Sequence, residues 1–164
     1  MLKPWTIVIA AHAIVATLAI VLGAFNLIRR VKGDPLHKAI GRTWSGLMLF
    51  VSVSAFFIGG FSDLIDIILH LLAAWTIISI ISGVIFAKRG NINAHRGFMT
   101  GSYFGLIGAL IGVIVVPARR IPEWFGAYPL EMTLLAVAIL AVAWLFVYVV
   151  ARSTVQKGRN TIDF

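Results

Sequence analysis

Five stretches of this chain are apolar for long enough to cross a bilayer, and that limits its fold before any motif is considered. They are Trp5–Ile28, Ile40–Gly59, Leu64–Ala87, Gly97–Val116 and Met132–Ala151, each at or above the ~18 apolar residues that suggest a spanning helix. The 164 residues are 60% apolar and only 12% charged, whereas about a quarter of a soluble domain is charged. Inside hydrocarbon the chain must satisfy its own backbone N–H and C=O groups, so each stretch is expected to be a helix. The expected fold is an all-α integral membrane protein. A four-helix up-down transmembrane bundle occupies residues 1–120. An outer connection, a fifth transmembrane helix and a cytoplasmic tail occupy 121–164. A cleavable leader is the rival reading of the first stretch, which is too long and lacks a small-x-small cleavage pattern.

Charge sets the expected orientation. Arg29, Arg30, Lys32, Lys38, Arg42, Lys88, Arg89, Arg96, Arg152, Lys157 and Arg159 fall on one side, leaving Lys3, Arg119 and Arg120 on the other. Positive-inside bias puts the first side in the cytoplasm and the N-terminus outside, as in a multi-pass protein of a bacterial-type inner membrane. A net charge of +8 would raise nucleic acid as the partner of a soluble chain. Beside apolar spans the same residues answer to the lipid bilayer, and no nucleic-acid partner is expected. The lack of cysteine removes disulfides, thiolate metal sites and thiol catalysis. There is no phosphate loop, no nucleophile with a base and no pair of carboxylates within the membrane, which argues against a hydrolase or kinase.

The connections carry start signals. Asp34 can cap the second helix, with Pro35 at its first position, and Asn93 can cap the fourth. Ser62 or Asp63 opens the third. Pro117 to Pro129 reads as a longer outer connection whose Trp124 and Tyr128 suit the membrane interface. The chain also looks duplicated. His12 and His37 are 25 residues apart, as are His70 and His95, and an offset of 58 superposes both pairs and Arg30 on Lys88. A duplicated helical hairpin arranged as a four-helix bundle is a common way to build a central site.

All four histidines lie in apolar helices or open them, where ionisable groups tend to mark pathways or sites. His12 precedes Arg29 by 17 residues and His70 precedes Lys88 by 18, which places both about 25 Å above the cytoplasmic face. His37 and His95 open helices at the inner face. The outer pair therefore comes from helices one and three, and the inner pair from helices two and four. These are diagonal neighbours in an up-down bundle. Facing imidazoles of this kind can supply both axial ligands of a haem iron, so one haem b or two are expected. Lys38, Arg42 and Arg96 would neutralise the propionates of an inner haem. Against this, helical side chains lean toward the N-terminus, which aims His37 and His95 at phosphate, quinone or solvent. A histidine in a membrane helix also serves as an interhelical hydrogen bonder.

Other polar and small residues have structural readings. Asp66 can orient His70 or complement the start of its helix. Asn26, Ser45, Ser52, Ser54, Thr100 and Ser102 can satisfy one another between helices. Gly101, Gly105, Gly108 and Gly112 give helix four a smooth face for close packing, or for a flat macrocycle.

The stretches PLHKAIGRTWSGLM, LHLLAAW and AHRGFMTGSYFG, with His12 in helix one, resemble the small bacterial membrane proteins of the domain of unknown function 2306 family. The resemblance covers roughly Trp5 to Arg120 and implies a four-helix histidine-bearing bundle. The fifth helix departs from that form and would serve a larger membrane complex or a homodimer. The diagonal histidine pairs are also similar in architecture to cytochrome b561, although its longer histidine spacings are missing. The expected function is a b-type haem protein carrying electrons within or across the bilayer, with a quinone or redox protein as its partner. The alternative is a non-catalytic accessory or assembly subunit whose histidines are structural. A histidine relay for metal or protons ranks behind both, because Asp66 is the lone carboxylate inside the membrane.

Overall fold

The computed structural model describes residues 5–61, 63–115 and 120–159, with no side-chain description at 120 or 155–159. These residues form six helices: α1 (Ile7–Ile28), α2 (Pro35–Ala55), α3 (Leu64–Lys88), α4 (Ile92–Val115), α5 (Arg120–Ala127) and α6 (Pro129–Arg159). Helices α1, α3, α4 and residues Pro129–Thr154 of α6 are long and apolar enough to cross a membrane. The predicted ends of α4 at Val116 and of its connection at Pro117, and Ser62 before α3, lie outside the described residues.

Helix α2 is not apolar enough to stand with those four, and its packing explains why. It lies against α1, α3 and α6, and it buries Ile40, Trp44, Ser45, Met48, Val51, Ser52 and Ser54. A helix with one face covered by protein can carry serines on that face and a polar first turn, while Phe50 and Val53 remain on its exposed side. Its 21 residues still extend about 31 Å, the thickness of a hydrocarbon core.

The four helices close a ring in which α1 meets α2, α2 meets α3, α3 meets α4, and α4 meets α1. No backbone approach within 8 Å joins α1 to α3 or α2 to α4 among the described residues, so these pairs are diagonal, as expected from the sequence. Helix α6 lies outside the ring against α1 and α2. Most of its surface is open, including Leu130, Val137, Trp144 and Val149, as a lipid-facing helix requires. The bundle's core is Ala19, Leu22, Ile40, Trp44, Met48, Val51, Ile80 and Leu106.

Local signals fix the helix ends. The Asp34 side chain accepts the His37 N–H with Pro35 next to it, as expected. For α4 the cap is Asn91 rather than Asn93, because Asn91 Oδ1 accepts the Ala94 N–H at 3.1 Å. The tight turns before these helices need Gly33 at φ +79° and Gly90 at φ +76°, which a Cβ would strain. The stretch read as an outer connection contains the short helix α5. Its Trp124 packs edge-on to Trp5 at 6.2 Å and against Tyr128 at 5.3 Å, an aromatic cluster of interfacial type.

Candidate functional site

The histidines occupy two levels of the bundle. At the end away from the basic loops, the His12 Nδ1 lies 2.9 Å from Ser54 Oγ. The Ser54 hydroxyl donates its single proton to the Val51 carbonyl at 3.0 Å, so its oxygen accepts from His12. That fixes the Nδ1–H tautomer and leaves Nε2 with a lone pair. Across the ring, His70 is only 6% exposed, and its Nδ1 is buried with no hydrogen-bond partner. Its ring stacks on Phe61 at 4.5 Å and tilts against Phe56 at 5.6 Å. Both imidazoles thus flank the end of α2, one through Ser54 and the other through Phe56. Asp66 turns its carboxylate toward the Gly60 N–H at 3.5 Å, and His70 Nδ1 is not among its partners.

At the basic end the second pair repeats one construction. The His37 Nδ1 lies 2.9 Å from Asn26 Oδ1 on α1, and the His95 Nδ1 lies 2.9 Å from the Gly83 carbonyl on α3. A carbonyl oxygen can only accept, so both rings are Nδ1–H tautomers with Nε2 free. Each imidazole opens one helix and is pinned to the last turns of the helix before it. The acceptor shifts by one residue relative to the offset of 58, since Gly83 aligns with Phe25. His37 and His95 lie within electrostatic reach of each other. Both are half-buried, while Lys38, Arg42 and Arg96 are exposed around them.

The loop between α1 and α2 is held by ions. Arg29 Nη1 and Nη2 meet the two Asp34 carboxylate oxygens at 2.5 and 2.6 Å, and the guanidinium holds the Asp34 carboxyl well below the usual range. Lys32 donates to the Asn26 and Leu27 carbonyls at 2.5 and 2.9 Å. Burial there, with Arg29 and Arg96 nearby, pushes its ammonium pKa down.

Between the levels the interior is filled. His12 and Asn26 are 14 residues apart, about 21 Å along α1. Midway, Trp44 donates its Nε1–H to the Ala19 carbonyl at 2.9 Å and meets Gly23 together with Tyr103. Among the described residues no three His, Asp or Glu side chains gather as a metal centre.

Sequence reasoning placed all four histidines at their levels, but it missed what holds them. Asn26 and Ser54 were expected to pair with other polar helix residues and instead accept from His37 and His12. Ser45 and Ser102 bond their own helix at Gly41 and Phe98. The Gly83 carbonyl carries no signal in the sequence at all. The glycine face of α4 packs only at Gly105, where a Cβ would meet Leu72 Cδ1 at 3.5 Å; at Gly101, Gly108 and Gly112 it would meet nothing within 4 Å.

Neither the curated proteins nor the solved structures include a match to this chain. A family of predicted membrane proteins, DUF2306, matches over residues 9–159. The match runs through α6, so the last long helix is part of the shared pattern rather than an addition to it. With its ring of apolar helices and its four patterned histidines inside that match, the chain belongs to the DUF2306 family of predicted membrane proteins.

Proposed function

We propose that this protein carries electrons on a b-type haem held by His12 and His70 on the diagonal helices α1 and α3. The observation behind this reading is the state of the imidazoles. A histidine that ligates a metal donates its other ring N–H to an oxygen and presents a neutral lone pair. His12 is already in that state through Ser54. In His70, buried among aromatic rings, the nitrogen without a partner is Nδ1; an iron ligated at Nδ1, with the proton on Nε2, would satisfy an atom that otherwise calls for an explanation. Two imidazoles in an apolar enclosure are the donor set of a low-spin b haem. The basic pair lies nearer the membrane surface and is more open, so it is not needed as a ligand to this haem. The basic end, with Arg29 to Arg42 and Lys88 to Arg96, faces the cytoplasm of a cell whose inner membrane holds the protein.

The test is a reduced-minus-oxidised visible spectrum of detergent-purified protein, with haem counted per chain. Sharp reduced b-type bands at one haem per chain, lost in His12→Ala and His70→Ala but kept in His37→Ala, are expected. A colourless protein, even after expression with excess haem, would overturn the reading and leave the histidines as structural hydrogen bonders of an accessory subunit.

A further inference from the structure

The basic-end pair has a chemistry of its own. Each imidazole commits Nδ1–H to a fixed oxygen and presents Nε2 as an acceptor. An anion or a bare carbonyl compound offers only acceptors and finds no donor at either Nε2. A ligand with two hydroxyl donors does. Each ring can also take a proton on Nε2 without losing its existing bond, since Nδ1–H stays on Asn26 or Gly83 and supports the imidazolium that forms.

Position narrows the ligand further. Both rings open their helices at the membrane surface, half-buried, on diagonal helices α2 and α4. They lie within electrostatic reach of one another; Lys32 and Arg29 stand near His37, Arg96 stands near Lys32, and Asp34 is already paired to Arg29. A ligand there reaches water on one side and lipid on the other. It needs two hydroxyls, a body soluble in the bilayer, and two protons to give.

We infer that His37 and His95 form a binding site for a lipid-soluble hydroquinone, which they deprotonate as it is oxidised. The inference rests on the electron-carrier reading for its oxidant. Both O–H bonds of the quinol break, one proton passing to Nε2 of His37 and the other to Nε2 of His95. A haem held by His12 and His70 would take the two electrons one at a time, each passed to a soluble ferric redox protein before the next arrives, so that one quinol would reduce two such ferric centres. The product is the quinone. It lacks hydroxyl donors, loses its bonds to Nε2 and departs, and the two protons pass to water at the membrane surface.

The experiment uses full-length protein in nanodiscs with a short-chain benzoquinol, held reduced under argon, and the matching quinone, each titrated by calorimetry. The quinol should bind saturably and about tenfold or more tighter than the quinone, as the loss of one or two hydrogen bonds implies. His37→Phe and His95→Phe should each weaken quinol binding by about tenfold. Asn26→Leu, which leaves both imidazoles in place but removes one acceptor, should weaken it several-fold, and thermal unfolding checks that each variant is folded. Equal affinity for quinol and quinone, unchanged binding in all three variants, or a second haem on His37 and His95 overturns the site. So does tight binding of Zn²⁺ alone through the same residues with no quinol bound. A chromophore reduced by dithionite but not by the quinol would sink this inference and spare the haem. Histidine-dependent quinol binding to a colourless protein would sink the haem and spare the site.

Discussion

Gly23 on α1 faces the indole of Trp44 so closely that an added Cβ would lie 2.6 Å from Nε1, with the Tyr103 ring at 2.6 Å on its other side. Trp44 has no room to retreat, because it is 5% exposed and tied to the Ala19 carbonyl. Gly23→Ala should therefore destabilise the bundle by about 1–3 kcal/mol through overpacking. Gly83→Ala should cost less, because the nearest atom there is the Met99 methyl at 2.6 Å, the end of a flexible chain. Gly101→Ala meets open space and should be neutral or slightly stabilising. Thermal unfolding in detergent would rank the three, and a Gly101→Ala cost above that of Gly23→Ala would contradict this packing.

That ranking also shows what the sequence could and could not reveal. Regular glycine spacing made α4 look like the tight face, while Gly23 and Gly83 stood alone in their windows. Close approach depends on the partner across the gap, here Trp44, Tyr103 and Met99, and such pairings are non-local. Hydropathy, by contrast, is a property of each segment, so α1, α3, α4 and α6 were legible directly. Helix α2 was read from the window Ile40–Gly59 with a cap at Asp34, but that window ran past the true end at Ala55 because the following Phe-Phe-Ile turn is also apolar.

Ser54→Ala removes the acceptor that holds the His12 ring. The imidazole would keep only the Val51 carbonyl that it also meets, at a cost of about 1 kcal/mol, and would be held less firmly in the ligating orientation. Haem content should fall and the midpoint potential should shift, while Ser54→Thr, which keeps a hydroxyl, should restore both. A Ser54→Ala protein with unchanged haem content and potential would show that this hydrogen bond does not prepare a ligand.

Asp34 joins two jobs in one carboxylate, the ion pair with Arg29 and the cap on α2. Its folded pKa is depressed, chiefly by the Arg29 hydrogen bond. The stabilisation is therefore fully present above the unfolded value near about 4 and is lost as pH falls through the lower folded value. Wild-type protein should lose melting temperature between neutral and strongly acidic pH by more than Asp34→Asn, which has no charge to titrate there. At neutral pH Asp34→Ala should melt below Asp34→Asn, because only the amide can still cap. Parallel melting curves against pH for wild type and Asp34→Asn would remove Asp34 as a source of acid sensitivity.

The site was legible in part for similar reasons. Four histidines in apolar helices stand out against their surroundings, and spacing alone assigned them to two levels. Their tautomers could not be read, because they depend on which oxygen each ring meets. One is the Asn26 side chain, one is Ser54 after its own proton is spent on Val51, and one is a main-chain carbonyl that any residue at position 83 would supply.

The two ends of the bundle can be told apart in cells because the chain has no cysteine of its own. Val31 lies in the basic loop between α1 and α2, and Phe57 in the turn after α2; both are well exposed, at 59% and 75%. Neither contributes to the core, so Val31→Cys and Phe57→Cys should fold. With the basic end in the cytoplasm, a membrane-impermeant maleimide should label Phe57→Cys in intact spheroplasts and reach Val31→Cys only after the membrane is opened. The reverse pattern would place the basic loops outside and reverse the direction of proton release proposed for His37 and His95. Labelling of both positions in closed cells would mean that α2 does not cross the membrane. That outcome matters because α2 is the helix whose protein-facing serines and polar first turn, rather than its hydropathy, support its place in the bilayer.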